Sequence, residues 1–295
     1  MFINNGFEYL GNFDTNYANK LGREIFKIID IENLFIEDKK DSEKYTRVKT
    51  NPIPGKNLAE KMQISEFFEN EEIVNSFKRI CGERYRILDY KFVLGVPTSY
   101  MPDWVRYELG GKADANLGKY IKPNKRLMTY FNGLDFHQDI IDFPSRNPDF
   151  ATFYYYLTEV TTIESPLIVL KDSHKFGPMV FPHEIEIKSN KIFLKNEIFE
   201  EEILIGSPGD CFVWHPYILH GTYPTHDGTP RVSLRVLVER NADLFTKCEL
   251  FDVNQSLINS NAQKIVREIG RTSPQSRLAN IKNMLIAKYK KDNLK

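Results

Sequence analysis

The feature that most limits the fold is a run of short, strand-length segments between residues 85 and 239, each closed by turn formers. It begins at 85–94 (YRILDYKFVL), where β-branched and aromatic residues crowd together. It continues at 126–132, 136–141, 151–157, 167–170, 184–187, 202–205, 210–215, 218–223 and 231–239. Asn132-Gly133, Pro144-Ser145, Ser207-Pro208-Gly209 and Asp227-Gly228 punctuate the run. Many short strands with turn signals predict a mainly β sandwich or jelly roll.

The flanks read as helix. Leu21, Ile25, Phe26, Ile28 and Ile29 recur at helical spacing. A second helix is expected from Ser65, with Phe67, Phe68, Ile73, Val74, Phe77 and Ile80 turned to a core and Gly82 as its stop. The mixed-charge stretch 37–49 reads as a solvated loop, and 95–124 as a loop rich in Gly and Pro. After 240, Leu257, Ile265, Val266 and Ile269 form one apolar patch, and Leu278, Ile281, Leu285 and Ile286 another. The closing lysines suit a helix C-terminus. The expected organisation is one domain over 1–295: a helical flank 1–84, a β core 85–240 and a helical tail 241–295.

Charge excludes some partners. Forty basic side chains balance forty acidic ones. Binders of nucleic acid or anionic membranes need a cationic excess, so neither partner is expected. No stretch approaches the ~18 apolar residues of a membrane span. Residues 1–10 (MFINNGFEYL) lack the basic and apolar regions of a secretory signal. Cys81, Cys211 and Cys248 are too few and too widely spaced for a disulfide framework. A soluble, cytoplasmic protein is the expectation.

The chemistry-bearing segment is His137-Gln138-Asp139. Residues two apart on a strand share a face, so one imidazole and one carboxylate project together and can fill two sites on a divalent metal. A second histidine from the stretch 209–235 would complete two His and one carboxylate. That facial triad leaves positions open on the metal, as non-haem Fe(II) oxygenases require.

With those residues in view, the chain resembles the phytanoyl-CoA dioxygenase-like branch of the Fe(II)/2-oxoglutarate oxygenases. Four segments carry the resemblance in order: His137-Gln138-Asp139; Ser165 to Lys175 (SPLIVLKDSHK), similar to the family's GxLxVxPGSHK; Gly209-Asp210 leading to His220-Gly221-Thr222; and Arg231, eleven residues after His220. The resemblance implies a double-stranded β-helix, a jelly roll of cupin type. It implies that His137, Asp139 and His220 ligate iron. Arg231 would pair with the distal carboxylate of 2-oxoglutarate, because a guanidinium fork donates two parallel hydrogen bonds. Thr222 would share that carboxylate, and Arg235, of the same strand parity, is the fallback for Arg231.

Two departures stand out. Lys171-Asp172 replaces the family's Pro-Gly. Aromatics occupy both faces of 153–156, so Tyr155 is the named candidate beside the cosubstrate, with Tyr154 and Tyr156 as the alternative. His215 is the rival third ligand, His174 is expected to organise a turn, and His183 and His226 read as loop residues.

The resemblance implies a hydroxylase that consumes 2-oxoglutarate and O2 and releases succinate and CO2. Asp139 disfavours halogenation, which needs that position for chloride. Desaturation or cyclisation, a cupin-like metalloenzyme and a non-catalytic sensor remain as alternatives. The expected substrate is a small molecule. Its pocket walls are expected from 95–124, 140–150 and the turn after His174. Trp104, Arg106, Tyr107, Lys112, Lys119, Tyr120, Lys122 and Lys125 in the first of these would suit an anionic or sugar-like ligand. The C-terminal helices are expected either to cap the core or to pair with a second copy, which leaves the oligomeric state open.

Overall fold

The computed structural model describes residues 2–45, 54–62, 64–143, 146–179, 185–188, 191–194, 197–241 and 247–258. Its strands are β1 (Phe7–Asn12), β2 (Tyr85–Gly95), β3 (Thr129–Phe131), β4 (Leu134–His137), β5 (Phe150–Tyr156), β6 (Leu167–Leu170), β7 (Ile185–Lys188), β8 (Lys191–Leu194), β9 (Glu197–Phe199), β10 (Glu201–Leu204), β11 (Asp210–Trp214), β12 (His220–Thr222) and β13 (Arg231–Arg240). Its helices are α1 (Phe2–Asn5), α2 (Thr15–Ile29), α3 (Lys39–Tyr45), α4 (Pro54–Lys61), α5 (Ser65–Glu69), α6 (Glu71–Cys81), α7 (Asp103–Leu109) and α8 (Glu249–Ile258).

A six-stranded sheet, β1-β11-β5-β13-β2-β3, lies against a four-stranded sheet, β10-β6-β12-β4. This is the expected double-stranded β-helix. Strand parity sorts the side chains. Phe92, Leu94, Phe153, Tyr155, Val232, Leu234 and Val236 point outward from the larger sheet, into a core completed by Leu21 and Ile25 of α2, Phe67 of α5, and Ile73, Phe77 and Ile80 of α6. Each such apolar side chain contributes roughly 1.5–3 kcal/mol on burial. The opposite parity (Val93, Tyr154, Tyr156, Phe212, Trp214) packs between the sheets with Leu167 and Val169 of β6. A third sheet, β7-β8-β9, covers the outer side of the smaller one, where Ile168 and Leu170 meet Ile192 and Phe199.

The structure corrects several sequence readings. The N-terminal flank contains a strand: β1 pairs antiparallel with β11 and extends the larger sheet. The helix expected from Ser65 is two helices. Asn70, with extended backbone (φ −64, ψ 119), ends α5 and caps α6 by accepting from the Glu72 and Ile73 amides at 3.0 and 3.1 Å. Gly82 does stop α6, at φ 91. Part of the charged stretch is α3, held by an ion pair from Lys39 to Glu108 at 2.7 Å. The stretch 95–124 carries α7. Residues 46–49, the Pro144-Ser145 turn, His183, the start of the 184–187 strand and the apolar patches and lysines beyond 258 lie outside the described residues. Among the described residues, no helix is long and apolar enough to cross a membrane.

Candidate metal centre

His137 and His220 are direct partners across the antiparallel pair β4–β12, with ring centroids 4.4 Å apart. Asp139 joins them from the first turn beyond β4. The chain leaves the strand at His137, but Gln138 stays extended (φ −108, ψ 135), so the two-residue spacing still returns Asp139 to the inner face. One donor atom from each of the three lies within 4.8 Å of the others. Among the described residues this is the group of His, Cys, Asp and Glu side chains able to hold a metal ion.

The donors are preset. His137 Nδ1 sits 2.8 Å from the Asp135 carbonyl, and His220 Nδ1 sits 3.1 Å from the Ile218 carbonyl. A carbonyl only accepts, so each Nδ1 carries the proton and each Nε2 keeps its lone pair for a metal. Burial lowers the His220 pKa to about 4, against the opposing pull of the Asp139 charge, so the ring is neutral near pH 7. Asp139 is buried, which alone would raise its pKa. At the low pH where it would take up a proton, His220 and His137 are themselves charged, and these rings, Arg235 and a hydrogen bond from Thr152 outweigh burial and hold it well below the usual carboxylate range. Its Oδ2 accepts from Thr152 Oγ1 and from Trp214 Nε1, the latter at 2.8 Å. Its Oδ1 is left toward His220 Nε2, 3.7 Å away.

Gln138, between the two ligands, points the other way. Its amide nitrogen donates to the Gly177 and Tyr217 carbonyls, and its oxygen accepts from the Met179 amide. The middle residue therefore ties the ligand segment to the outer layers. Gly221 permits the close approach of β12 to β4. A Cβ there would lie 2.7 Å from the Leu134 carbonyl oxygen and 3.1 Å from the Phe136 amide nitrogen.

Arg231 points inward and is 1% exposed. Its guanidinium lies among the rings of Phe131, Tyr154 and Tyr156, at 5.3, 5.6 and 5.9 Å. Among the described residues, none of its three nitrogens meets a hydrogen-bond partner of good geometry, the Tyr156 side chain being the polar neighbour. An uncompensated buried cation costs on the order of several kcal/mol. A group that supplies a carboxylate would remove that cost. Among the described residues, the Oγ atoms of Thr222 and Ser233 are likewise buried without a partner. Ser233 shares the face of Arg231 on β13. Thus the donor set suits ferrous iron, and the buried cation with two hydroxyls suits the carboxylate end of 2-oxoglutarate.

A cavity of about 260 Å³ opens over the metal group. His137, Asp139, His220, Tyr154, Trp214, Val93, Phe131, Leu134 and Leu167 line it, together with Lys91, Arg235, Asp135 and Asp142.

Some candidates lie elsewhere. Tyr155 does not face the space between the two sheets. Its hydroxyl donates to the Phe13 carbonyl and its ring packs 5.1 Å from Phe67, so Tyr154 and Tyr156 are the inward pair. His215 is outside the metal group. Its Nδ1 accepts from the Tyr217 amide at 3.1 Å and its Nε2 donates to Asn254 Oδ1 at 3.0 Å. His174 lies in the short turn after β6, its ring 5.9 Å from that of His215. Asp172 replaces the family glycine without loss of the turn, in the left-handed region at φ 63. Among the described residues of the expected substrate walls, Ala115, Ile141 and Asp142 reach the cavity. None of the basic residues of 95–124 lines the cavity: Arg106 pairs with Asp103, Lys119 with Asp114 and Lys122 with Glu37, as Lys125 does with Asp30, and Lys112 also lies outside it. Thr152, Trp214, Gln138, Ser233 and Lys91 were not singled out by the sequence. The parity of Ser233 with Arg231 was the one available signal.

Residues 123–233 match the family model of phytanoyl-CoA dioxygenase (PhyH), which bears out the resemblance read from the sequence. The span holds all three metal-ligand candidates, Arg231 and Ser233. No curated protein matches the chain. Among solved structures, the fold is similar to a non-heme monooxygenase, ThoJ in its apo form, with a TM-score of 0.50 and 12% identity over 91% of this chain and 96% of that one. It is also similar to EvdMO1, with a TM-score of 0.51 and 16% identity over 82% of this chain and 48% of that one.

Proposed function

We propose that this chain is an Fe(II)- and 2-oxoglutarate-dependent oxygenase that hydroxylates an unactivated C–H of a small-molecule metabolite, with release of succinate and CO2. The observation that carries the reading is Arg231: a buried guanidinium with no anionic partner among the described residues, on the inner face of the sheet that helps enclose a two-His, one-Asp group. An anion that met it would offset the cost of burying that charge.

In this reading His137 and His220 bind the metal through Nε2 and Asp139 through Oδ1. Arg231 receives the distal carboxylate of 2-oxoglutarate in a two-bond fork, and the hydroxyls of Thr222 and Ser233 donate to the same end. When bound, iron and 2-oxoglutarate supply the oxidising chemistry with O2. The chain's own part is positional. Thr152 and Trp214 hold Asp139 in one orientation. Phe131, Tyr154 and Trp214 exclude water around the site, and the cavity walls direct one C–H of the substrate to the metal. Asp139 occupies the position a halide would need. Balanced charge and three free, buried cysteines support a cytoplasmic setting.

The test is anaerobic addition of Fe(II) and 2-oxoglutarate. The expected result is a weak visible charge-transfer band. Arg231→Ala should raise the 2-oxoglutarate needed for that band by about 100-fold while iron binding stays near wild type. A wild-type protein with no band would end the reading.

A further inference from the structure

Lys91 and Arg235 face each other directly across β2 and β13, and both line the cavity above the metal group. Like charges placed directly opposite on neighbouring strands repel. Here nothing offsets that repulsion at contact range. Among the described residues neither side chain makes an ion pair or a hydrogen bond, and Arg235 Nε is buried without a partner.

Burial and the adjacent Arg235 push the Lys91 pKa down to about 8, while Asp142, Asp89 and Asp139 pull it up only in part. Two further carboxylates, Asp135 and Asp142, line the cavity, and both are exposed. Asp139 is committed to the metal group. The inner wall therefore holds two adjacent cations, and the remaining walls are chiefly apolar.

We infer that Lys91 and Arg235 form an oxyanion subsite, and that the substrate carries a carboxylate or a phosphate or sulfate ester on an apolar or ring-shaped body. This rests on the proposed reaction for the position of the reacting C–H, but the subsite itself is a property of β2 and β13. A guanidinium and an ammonium side by side complement an oxyanion by charge and by number of donors. An anion seated between them would remove the repulsion, so binding and local stability are coupled.

The test uses four probes: benzoate and phenyl phosphate, with benzamide and phenol as their neutral counterparts. Each is titrated calorimetrically into anaerobic protein carrying Fe(II) and 2-oxoglutarate, and again into metal-free protein. At least one anion should bind about tenfold or more tightly than its neutral counterpart. Which anion wins separates carboxylate from phosphate. Lys91→Met and, separately, Arg235→Met should each remove that preference while neutral-probe affinity stays within about threefold. Thermal denaturation of each variant checks that it folds. Equal binding of anions and neutrals, no binding of either anion, or a preference that survives both substitutions overturns the subsite. So does a tenfold weakening of 2-oxoglutarate in Lys91→Met, read from the charge-transfer band, because the pair would then serve the cosubstrate. An anion preference in metal-free protein that gives no band would keep the subsite and remove the cosubstrate reading.

Discussion

Thr152 and Trp214 are direct partners across β5 and β11, and both donate to the same oxygen of Asp139. Two donors fixed by one rung of a sheet leave the carboxylate a single orientation, with its other oxygen turned to His220. Outer hydrogen bonds of this kind set ligand basicity and geometry. Thr152→Val and Trp214→Phe keep most of the volume and remove one donor each. Each should weaken Fe(II) or Co(II) binding about 10–100-fold, read by metal titration. Wild-type affinity in both would mean that the carboxylate is oriented by something else.

The triad itself makes a sharper prediction. His137→Ala and Asp139→Ala should abolish metal binding and succinate release in air, with far-ultraviolet circular dichroism unchanged. Turnover retained in either would move the metal to other residues.

Gly221 tests the spacing between the ligand strands. In Gly221→Ala the new methyl meets the Leu134 carbonyl, and β12 must move off β4. Overpacking of this kind costs about 1–3 kcal/mol. Both midpoint stability and metal affinity should fall, because His220 travels with the strand. Loss of stability with metal affinity intact would show that the strain is absorbed elsewhere.

Acid stability follows from the two outer histidines. Burial lowers His215 to about 3 and His174 to about 4. Their unfolded values lie near 6.5. Below that value the unfolded chain binds protons that the folded chain refuses, so stability present above pH 6.5 is lost as pH falls toward 4. Each group contributes up to about 1.4 kcal/mol per pH unit across that window. His215→Gln should flatten the fall of melting temperature between pH 6.5 and 4. An unchanged slope would assign the acid loss to other groups.

Much of the centre could be read from sequence because it is local. His137 and Asp139 need only strand parity, and parity survives even though β4 stops at His137. Arg231 likewise follows from its place on a long, regular strand. The orienting pair was not legible, since Thr152 and Trp214 lie far apart in the chain and meet only through the β5–β11 register. Tyr155 failed for another reason: with tyrosine at 154, 155 and 156, alternation carries no information about which face is inner. The strand β1 was hidden because its partner, β11, lies about 200 residues away. The substrate wall was sought in loops, whereas Lys91 and Arg235, which line the cavity, stand on strands that read as ordinary core.

That placement on strands has a practical consequence for anyone wishing to redirect the enzyme. Loop grafting between relatives would leave most of the cavity untouched, because Lys91, Val93, Thr129, Leu134 and Arg235 belong to the sheets. Substrate range should instead respond to single exchanges at alternate strand positions. The register holds each side chain in place, so a small library at those five sites would sample a new pocket without redesigning the backbone.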